Sequence, residues 1–365
     1  MPSNTPLLKP VFESIPCPWT PENPRHDHQL IFPLDDKRLM LVWCEYYAAS
    51  PSVVERLGPE EHGGQQHDQM PCRLSARISR DAGRTWGHRF IVQDNLWKLN
   101  VKHPNLIRAG SGELLFFCTG WNDFNRDRRI YMKRSPDDGE TWTAPKPISG
   151  TGFHCLNNDH ILRLSSGRVL LPFHHSDDFG FEPERYESIE SWVYYSDDDF
   201  ATHHQSRNSM ALDGSAVHEP AIAELADGSL LALLRTSKGC QYRSLSRDEG
   251  ETWSPPEPTV LPSPEAPCML KRIPDSDDLL IIWNNAASSK IRPRNPLTAA
   301  ISKDSGQTWV SYHDIVDNEG CDSAYAAATF NGDEVLVTYY HLRKGWSRDT
   351  EVVLKIFTID QFYDG

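Results

Sequence analysis

Apolar and polar residues alternate with a period of two in short runs that recur along the chain. CRLSARIS (72–79), RIYMKRS (129–135), SWVYYS (191–196), CQYRSLS (240–246) and PLTAAIS (296–302) read as half-buried strands. Ahead of most of them lie two more strand-like runs joined by a turn pair: NLIRAGSGELLFFCTG, HILRLSSGRVLLPFHH, AIAELADGSLLALLRT and MLKRIPDSDDLLIIWNN, where S-G, D-G or D-D supplies the turn.

The alternating runs end in one repeated turn. SRDAGRTW, SPDDGETW, SRDEGETW and SKDSGQTW begin at residues 79, 135, 246 and 302, so the starts are 56, 111 and 56 residues apart. The long gap predicts a worn copy near 190, and SDDDFATH (196–203) sits there without the Gly and Trp. Each unit therefore reads strand, turn, strand, loop, strand, Asp-box, strand, which is a propeller blade. Five boxes end the third strands of five blades. AAATFNGDEVLVTYYH and EVVLKIFTI supply three strands of a sixth, and KPVFESI (9–15) is expected to pair across the ring closure as its fourth. The fold expected is an all-β, six-bladed β-propeller of four-stranded antiparallel blades, with residues 1–365 as a single catalytic domain. The box residues are structural: the Asp accepts turn N–H groups, the Gly takes a positive φ and the Trp packs on a neighbouring blade.

Charge and composition narrow the partners. The chain of 365 residues carries a formal net charge of −14 and no Lys/Arg tract, which excludes a nucleic-acid partner. No apolar stretch is long enough to span a bilayer, and the N-terminus does not read as a signal peptide, so a cytosolic protein is expected unless a leader has been removed. The eight cysteines are scattered without CxxC, as for buried, reduced thiols. No cofactor is expected. The histidines show neither HExxH nor HxH spacing and give no metal motif.

Chemistry in a propeller belongs at the ends of the innermost strands, which line the axis. Glu219 opens EPAIAEL, Arg235 ends LLALLR, Arg294 lies in IRPRNPL, Tyr325 opens AYAAATF, and Asp68 lies in HDQMPC before the third strand of the first blade. His103 and His160 lie near inner-strand ends, where a histidine bonds sugar hydroxyls or is satisfied within the fold, and both are candidate substrate-binding residues. Arg243, in a third strand, reads as a surface residue.

These segments resemble the exo-sialidases (neuraminidases), and the likeness runs over most of the chain. HEPAIAELADGSLLALLRTSKGCQYRSLSRDEGETW resembles the segment with the buried Glu and one Arg of the carboxylate-binding triad. RPRNPLTAAISKDSGQTW resembles the segment with the next triad Arg, SAYAAATFNGDEVLVTYY the Tyr nucleophile segment, and HDQMPCRLSARISRDAGRTW the acid/base Asp segment. The resemblance implies Asp68 as acid/base, Glu219 as partner of a nucleophilic Tyr325, and Arg235 and Arg294 as carboxylate clamps. It departs at the first inner strand, where sialidases carry Arg-Ile-Pro and this chain has PRHDHQLIFPL. Arg25 is the nearest cation, with His26 or His28 as the other candidates for that place.

The activity expected is retaining hydrolysis of a terminal sialic acid or a related 2-keto sugar acid such as Kdn or Kdo. Guanidinium pairs match the substrate carboxylate, and a neutral Tyr escapes the repulsion a carboxylate nucleophile would meet. Two other readings compete: a uronate-specific polysaccharide lyase with an Arg clamp and a Tyr or His base, and a glycan-binding propeller without catalysis. In all three the partner is an acidic glycan.

Overall fold

The structure, a computed structural model, describes residues 5–35, 37–47, 68, 70–180, 182–318, 320–342 and 349–364. Alternation in the sequence becomes alternation in burial. CRLSARIS forms a strand whose Cys72, Leu74 and Ala76 are buried while Arg73 and Arg77 are half-exposed. Two second strands of hairpins, LLALLR and LLIIWN, are instead buried throughout. Each lies inside its sheet with a neighbouring sheet on each face, so it reads as a continuous apolar run.

After β1 (Phe12–Cys17), the chain builds β2 (Arg25–Pro33), β3 (Leu39–Tyr46), β4 (Cys72–Ser79) and β5 (Phe90–Gln93) as one antiparallel sheet in chain order. Two further four-stranded sheets follow the same rule: β15 (His218–Glu224) to β18 (Glu257–Pro262), and β19 (Met269–Arg272) to β22 (Val310–Val316). The last is β23 (Ser323–Asn331), β24 (Glu334–Leu342) and β25 (Thr350–Thr358), closed by β1. Phe12 pairs with Ile356 and Glu13 with Lys355. The N-terminal strand thus covers the final edge, at Phe12–Cys17 rather than at 9–15.

The count of six separate four-stranded sheets is corrected by the remaining strands. Four sheets are separate, and one is nine-stranded. It joins β6 (Asn100–Arg108), β7 (Leu114–Asp123), β8 (Asp127–Ser135) and β9 (Lys146–Pro147) to β10 (Phe153–Cys155), β11 (Leu162–Arg163), β12 (Val169–Ser176), β13 (Glu190–Ser196) and β14 (His204–Gln205). The junction is a single parallel bridge, Phe153 to Arg128. It arises because the first strand of the second half is broken into β10 and β11, and β10 reaches across to β8. The architecture is an all-β propeller of antiparallel sheets.

The repeated turn has one hydrogen-bond plan. In the first copy Ser79 Oγ accepts from the Gly83 N–H at 2.8 Å and donates to Asp81 at 2.8 Å, while Asp81 accepts from the Thr85 N–H at 2.8 Å and from its hydroxyl at 2.6 Å. The worn copy keeps the plan: Ser196 Oγ accepts from the Phe200 N–H at 2.8 Å, and Phe200 takes the glycine's place at φ 58°. Trp142 packs beside Met40 and Trp309 in the cluster that contains Leu231, so each box pins its own sheet to the preceding one.

A Cβ on Gly306 would lie 2.4 Å from Leu231 Cδ2, at φ +79°, whereas Gly228, at φ +80°, has open space around it. Gly306→Ala should therefore destabilise by roughly 2–5 kcal/mol from strain plus clash, and Gly228→Ala by roughly 1–2 kcal/mol from strain alone. Equal shifts of the two thermal midpoints would contradict this packing.

All eight cysteines are free; six are buried, and Cys240 and Cys321 are half-buried. No helix of the described residues is long and apolar enough to cross a membrane. Inner strands meet around the axis through β2–β6, β2–β23, β15–β19 and β19–β23 contacts. Polar side chains lock them there: Gln29 donates to the Tyr325 carbonyl at 2.7 Å, and Asn158 donates to the Gln29 carbonyl at 2.7 Å.

Candidate active site

Four inner strands share one local device. β2, β6, β15 and β23 each carry a register shift at a residue with left-handed backbone: His28 (φ 45°), His103 (φ 61°), Glu219 (φ 48°) and Tyr325 (φ 54°). A bulge of this kind re-aims a side chain at the cost of backbone strain, and such strain clusters at functional sites. All four line one cavity of about 270 Å³. That is at the small end of ligand pockets and suits a single sugar residue.

Its centre is a buried hydrogen-bonded trio. The Tyr325 hydroxyl donates to Glu219 Oε1 at 3.0 Å, and Arg235 Nη1 donates to Glu219 Oε2 at 2.7 Å and to the Tyr325 oxygen at 3.3 Å. Burial alone would raise the Glu219 carboxyl. The Arg235 guanidinium and its hydrogen bond, with His174 and His218, together outweigh it and hold Glu219 well below the usual carboxylate range. Burial, then the Glu219 charge, push the Tyr325 phenol well up, against the pull of Arg235 and Arg294. Behind Arg235 stands Glu265, 3.7 Å away, which also accepts from the Tyr186 hydroxyl.

Arg294 comes from the loop ahead of β21 (Leu297–Ser302). Its Nη1 donates to the Tyr340 hydroxyl at 3.0 Å, and its Cζ lies 5.3 Å from the centre of the Tyr325 ring. It forms no ion pair with a carboxylate among the described residues. Asp68 lies in the cavity wall, 2.8 Å from Arg25 Nη2 and 3.3 Å from Lys102 Nζ.

The first inner strand resolves the departure noted above. Arg25 lines the cavity but binds Asp27 and Asp68. His26 turns away, accepting from the Trp43 indole at 3.0 Å and donating to the Pro18 carbonyl at 3.1 Å. His28 faces the axis, 2.7 Å from Asp27 and with its ring centre 4.2 Å from that of Tyr325. Burial would lower the His28 pKa, but the charge of Asp27 and its hydrogen bond raise it to about 9. A folded value above the unfolded one (~6.5) adds stability that is present below about pH 6.5 and lost as pH rises through about 9. The His28 ring resonances should titrate near pH 9, and Asp27→Asn should move that midpoint below 6.5. An unchanged midpoint would show that Asp27 does not hold the charge. Asp27, His28 and Cys44 bring possible metal-ligand atoms within 4.8 Å of one another, but both Asp27 oxygens are already bonded, to Arg25 and His28.

His103, 4.6 Å from His28 between ring centres, is kept neutral by burial and by the His28 charge. His160 does not line the cavity, contrary to expectation. It donates to the Pro220 carbonyl at 3.0 Å and accepts from Asn157, so it braces the residue after Glu219. Arg243 forms the surface pair expected of it, with Glu257. Sequence reasoning missed Lys102, Trp121 and Arg128 as cavity residues. Lys102 adjoins His103 in VKHPNL, which was a usable signal; Arg128 follows a turn and had none.

The pattern of the BNR repeat-like domain family matches residues 61–342. A sialidase of Bacteroides fragilis is 24% identical over 234 residues, 60% of this chain and 40% of that protein, so this chain spans well under two thirds of that relative. Among solved structures, a protein of unknown function from Dyadobacter fermentans superposes with a TM-score of 0.72 at 17% identity, covering 96% of this chain and 99% of that one. Trypanosoma rangeli sialidase, solved as a covalent intermediate with 2,3-difluorosialic acid, superposes with a TM-score of 0.73 at 14% identity, covering 98% and 60%. With more than half its length matched, four boxes of the repeat intact and this propeller fold, the chain belongs to the BNR repeat-like domain family.

Proposed function

We propose that the protein is a retaining exo-glycosidase that releases a terminal sialic acid or related 2-keto sugar acid. The observation that carries this reading is the buried Tyr325–Glu219–Arg235 trio beside Arg294. In this reading Arg294 and Arg235 bind the substrate carboxylate, Tyr325 attacks the anomeric carbon, Glu219 accepts the phenol proton, and Asp68 serves first as acid and then as base.

The weak basicity of Glu219 in the free protein fits a substrate trigger. A carboxylate placed on Arg235 offsets the charge that now holds the Glu219 proton affinity down. Substrate binding would thereby strengthen the base beside Tyr325. For Asp68 to act as acid it must loosen from Arg25 and Lys102 and take up a proton from solvent, which it then gives to the leaving oxygen.

The nine-stranded sheet counts in this reading as two blades, since β6–β9 and β10–β14 are each antiparallel and meet at one bridge. That makes six around the axis.

A panel of acidic glycans, assayed for released sugar acid and for unsaturated uronate absorbance, separates the alternatives. Free 2-keto sugar acid is expected. Unsaturated uronate would favour a lyase with neutral His103 as base, and binding without either product would favour a glycan-binding module.

A further inference from the structure

The hydrolase reading uses the cations near Tyr325 and leaves another group of donors unexplained. Six Arg and Lys side chains line the cavity against four carboxylates, in a chain whose formal net charge is −14. On the side formed by β2, β6, β7 and β8, donors outnumber acceptors. Arg25 Nη1, Trp121 Nε1 and Arg128 Nη2 are buried and have no hydrogen-bond partner among the described residues. Lys102 is 2% exposed, and its one acceptor among the described residues is Asp68, at a long 3.3 Å and shared with Arg25. Arg128 is 5% exposed and forms no ion pair with a carboxylate among the described residues; it donates only to the Phe124 carbonyl and, weakly, to Cys155 Sγ.

Aromatic stacking accounts for part of this. Arg128 Cζ lies 3.6 Å from the Trp121 ring centre and 4.3 Å from that of Phe153, and Lys102 Nζ lies 4.4 Å from Trp121. A ring face stabilises a cation through its quadrupole, but it offers nothing to an N–H in the guanidinium plane. A buried donor without an acceptor is costly, and every unsatisfied atom named here is a donor. The complement of such a wall is a group with several acceptors and a negative charge. Around the axis β2 has β6 on one flank and β23 on the other; Arg294, which follows β20 (Leu279–Asn284), stands with Tyr325 on the β23 side.

We propose that Arg25, Lys102, Trp121 and Arg128 form a second anion subsite, so that the preferred sugar acid carries two negative groups: the carboxylate at Arg294 and a further carboxylate or sulfate on the ring or its side chain. This rests on the sugar-acid reading of the cavity and narrows its substrate class.

Calorimetric binding tests it without turnover. Three ligands are compared: a 2,3-unsaturated nine-carbon sugar acid with one carboxylate, the same compound oxidised to a carboxylate at its terminal carbon, and its sulfate esters. At least one dianion should bind the unaltered protein 10-fold or more tighter than the monoanion. Arg128→Gln should bring that ratio towards one while changing monoanion affinity little. Trp121→Phe, which keeps an aromatic face but removes the indole N–H together with the pyrrole ring, should lower the ratio part of the way and covers the case of an unstable Arg128 variant. Dianions that bind no better than the monoanion overturn the subsite and leave the hydrolase reading standing. Failure of all three ligands to bind overturns both.

Discussion

Tyr325→Phe is expected to lower kcat by on the order of 10⁴-fold or more, with ligand affinity nearly unchanged. The substitution removes one oxygen. Phe fits the same ring contacts with His28 and Arg294, and the Glu219–Arg235 pair at 2.7 Å remains intact. Neither the cavity nor its charge is altered, so a loss confined to kcat reports the missing nucleophile. A parallel rise in KM would instead point to a binding role for the hydroxyl. Activity equal to that of the unaltered protein would remove Tyr325 from the reaction.

Arg294→Ala should show the second large effect, and it should discriminate between ligands. Arg294 is buried and forms no ion pair with a carboxylate among the described residues; its guanidinium bonds the Tyr340 hydroxyl and the Ile291 carbonyl. Its charge is therefore available to a ligand carboxylate. Truncating one partner of a buried, charge-assisted contact typically costs about 2–5 kcal/mol. An acidic sugar should lose that much, while its amide or methyl ester should lose far less. Arg235 is a poorer test, because its removal leaves Glu219 buried without its ion-pair partner and would destabilise the fold itself. Equal losses for acid and ester at Arg294 would mean that no carboxylate binds there.

The sequence made the repeat legible because a box turn needs fixed residue types: a Ser that bridges, an Asp that accepts three hydrogen bonds, a Gly at positive φ. Even the worn copy was found by spacing, although nothing in its letters said that Phe200 would take the glycine's backbone. What spacing could not reveal was the junction at Phe153 and Arg128, since one bridge between strand ends leaves no periodic trace. Glu219, Arg235, Arg294, Tyr325 and Asp68 were legible as residues at strand ends, and they do line one cavity. His160 misled because a strand end can turn its side chain inward, to the Pro220 carbonyl, as easily as to the axis. The left-handed bulges that aim His28 and His103 depend on local pairing register rather than composition. The cations Lys102 and Arg128 sit within strands, where alternation alone marks them as ordinary surface residues.

The central claim is that Tyr325 becomes covalently bonded to the sugar. A 3-fluoro-sialyl fluoride type of inactivator slows release of such an adduct. Mass spectrometry of the digested protein should then find the fluorosugar on Tyr325 in the peptide containing SAYAAATF. An adduct on another residue, or none together with product of inverted anomeric configuration, would contradict the account.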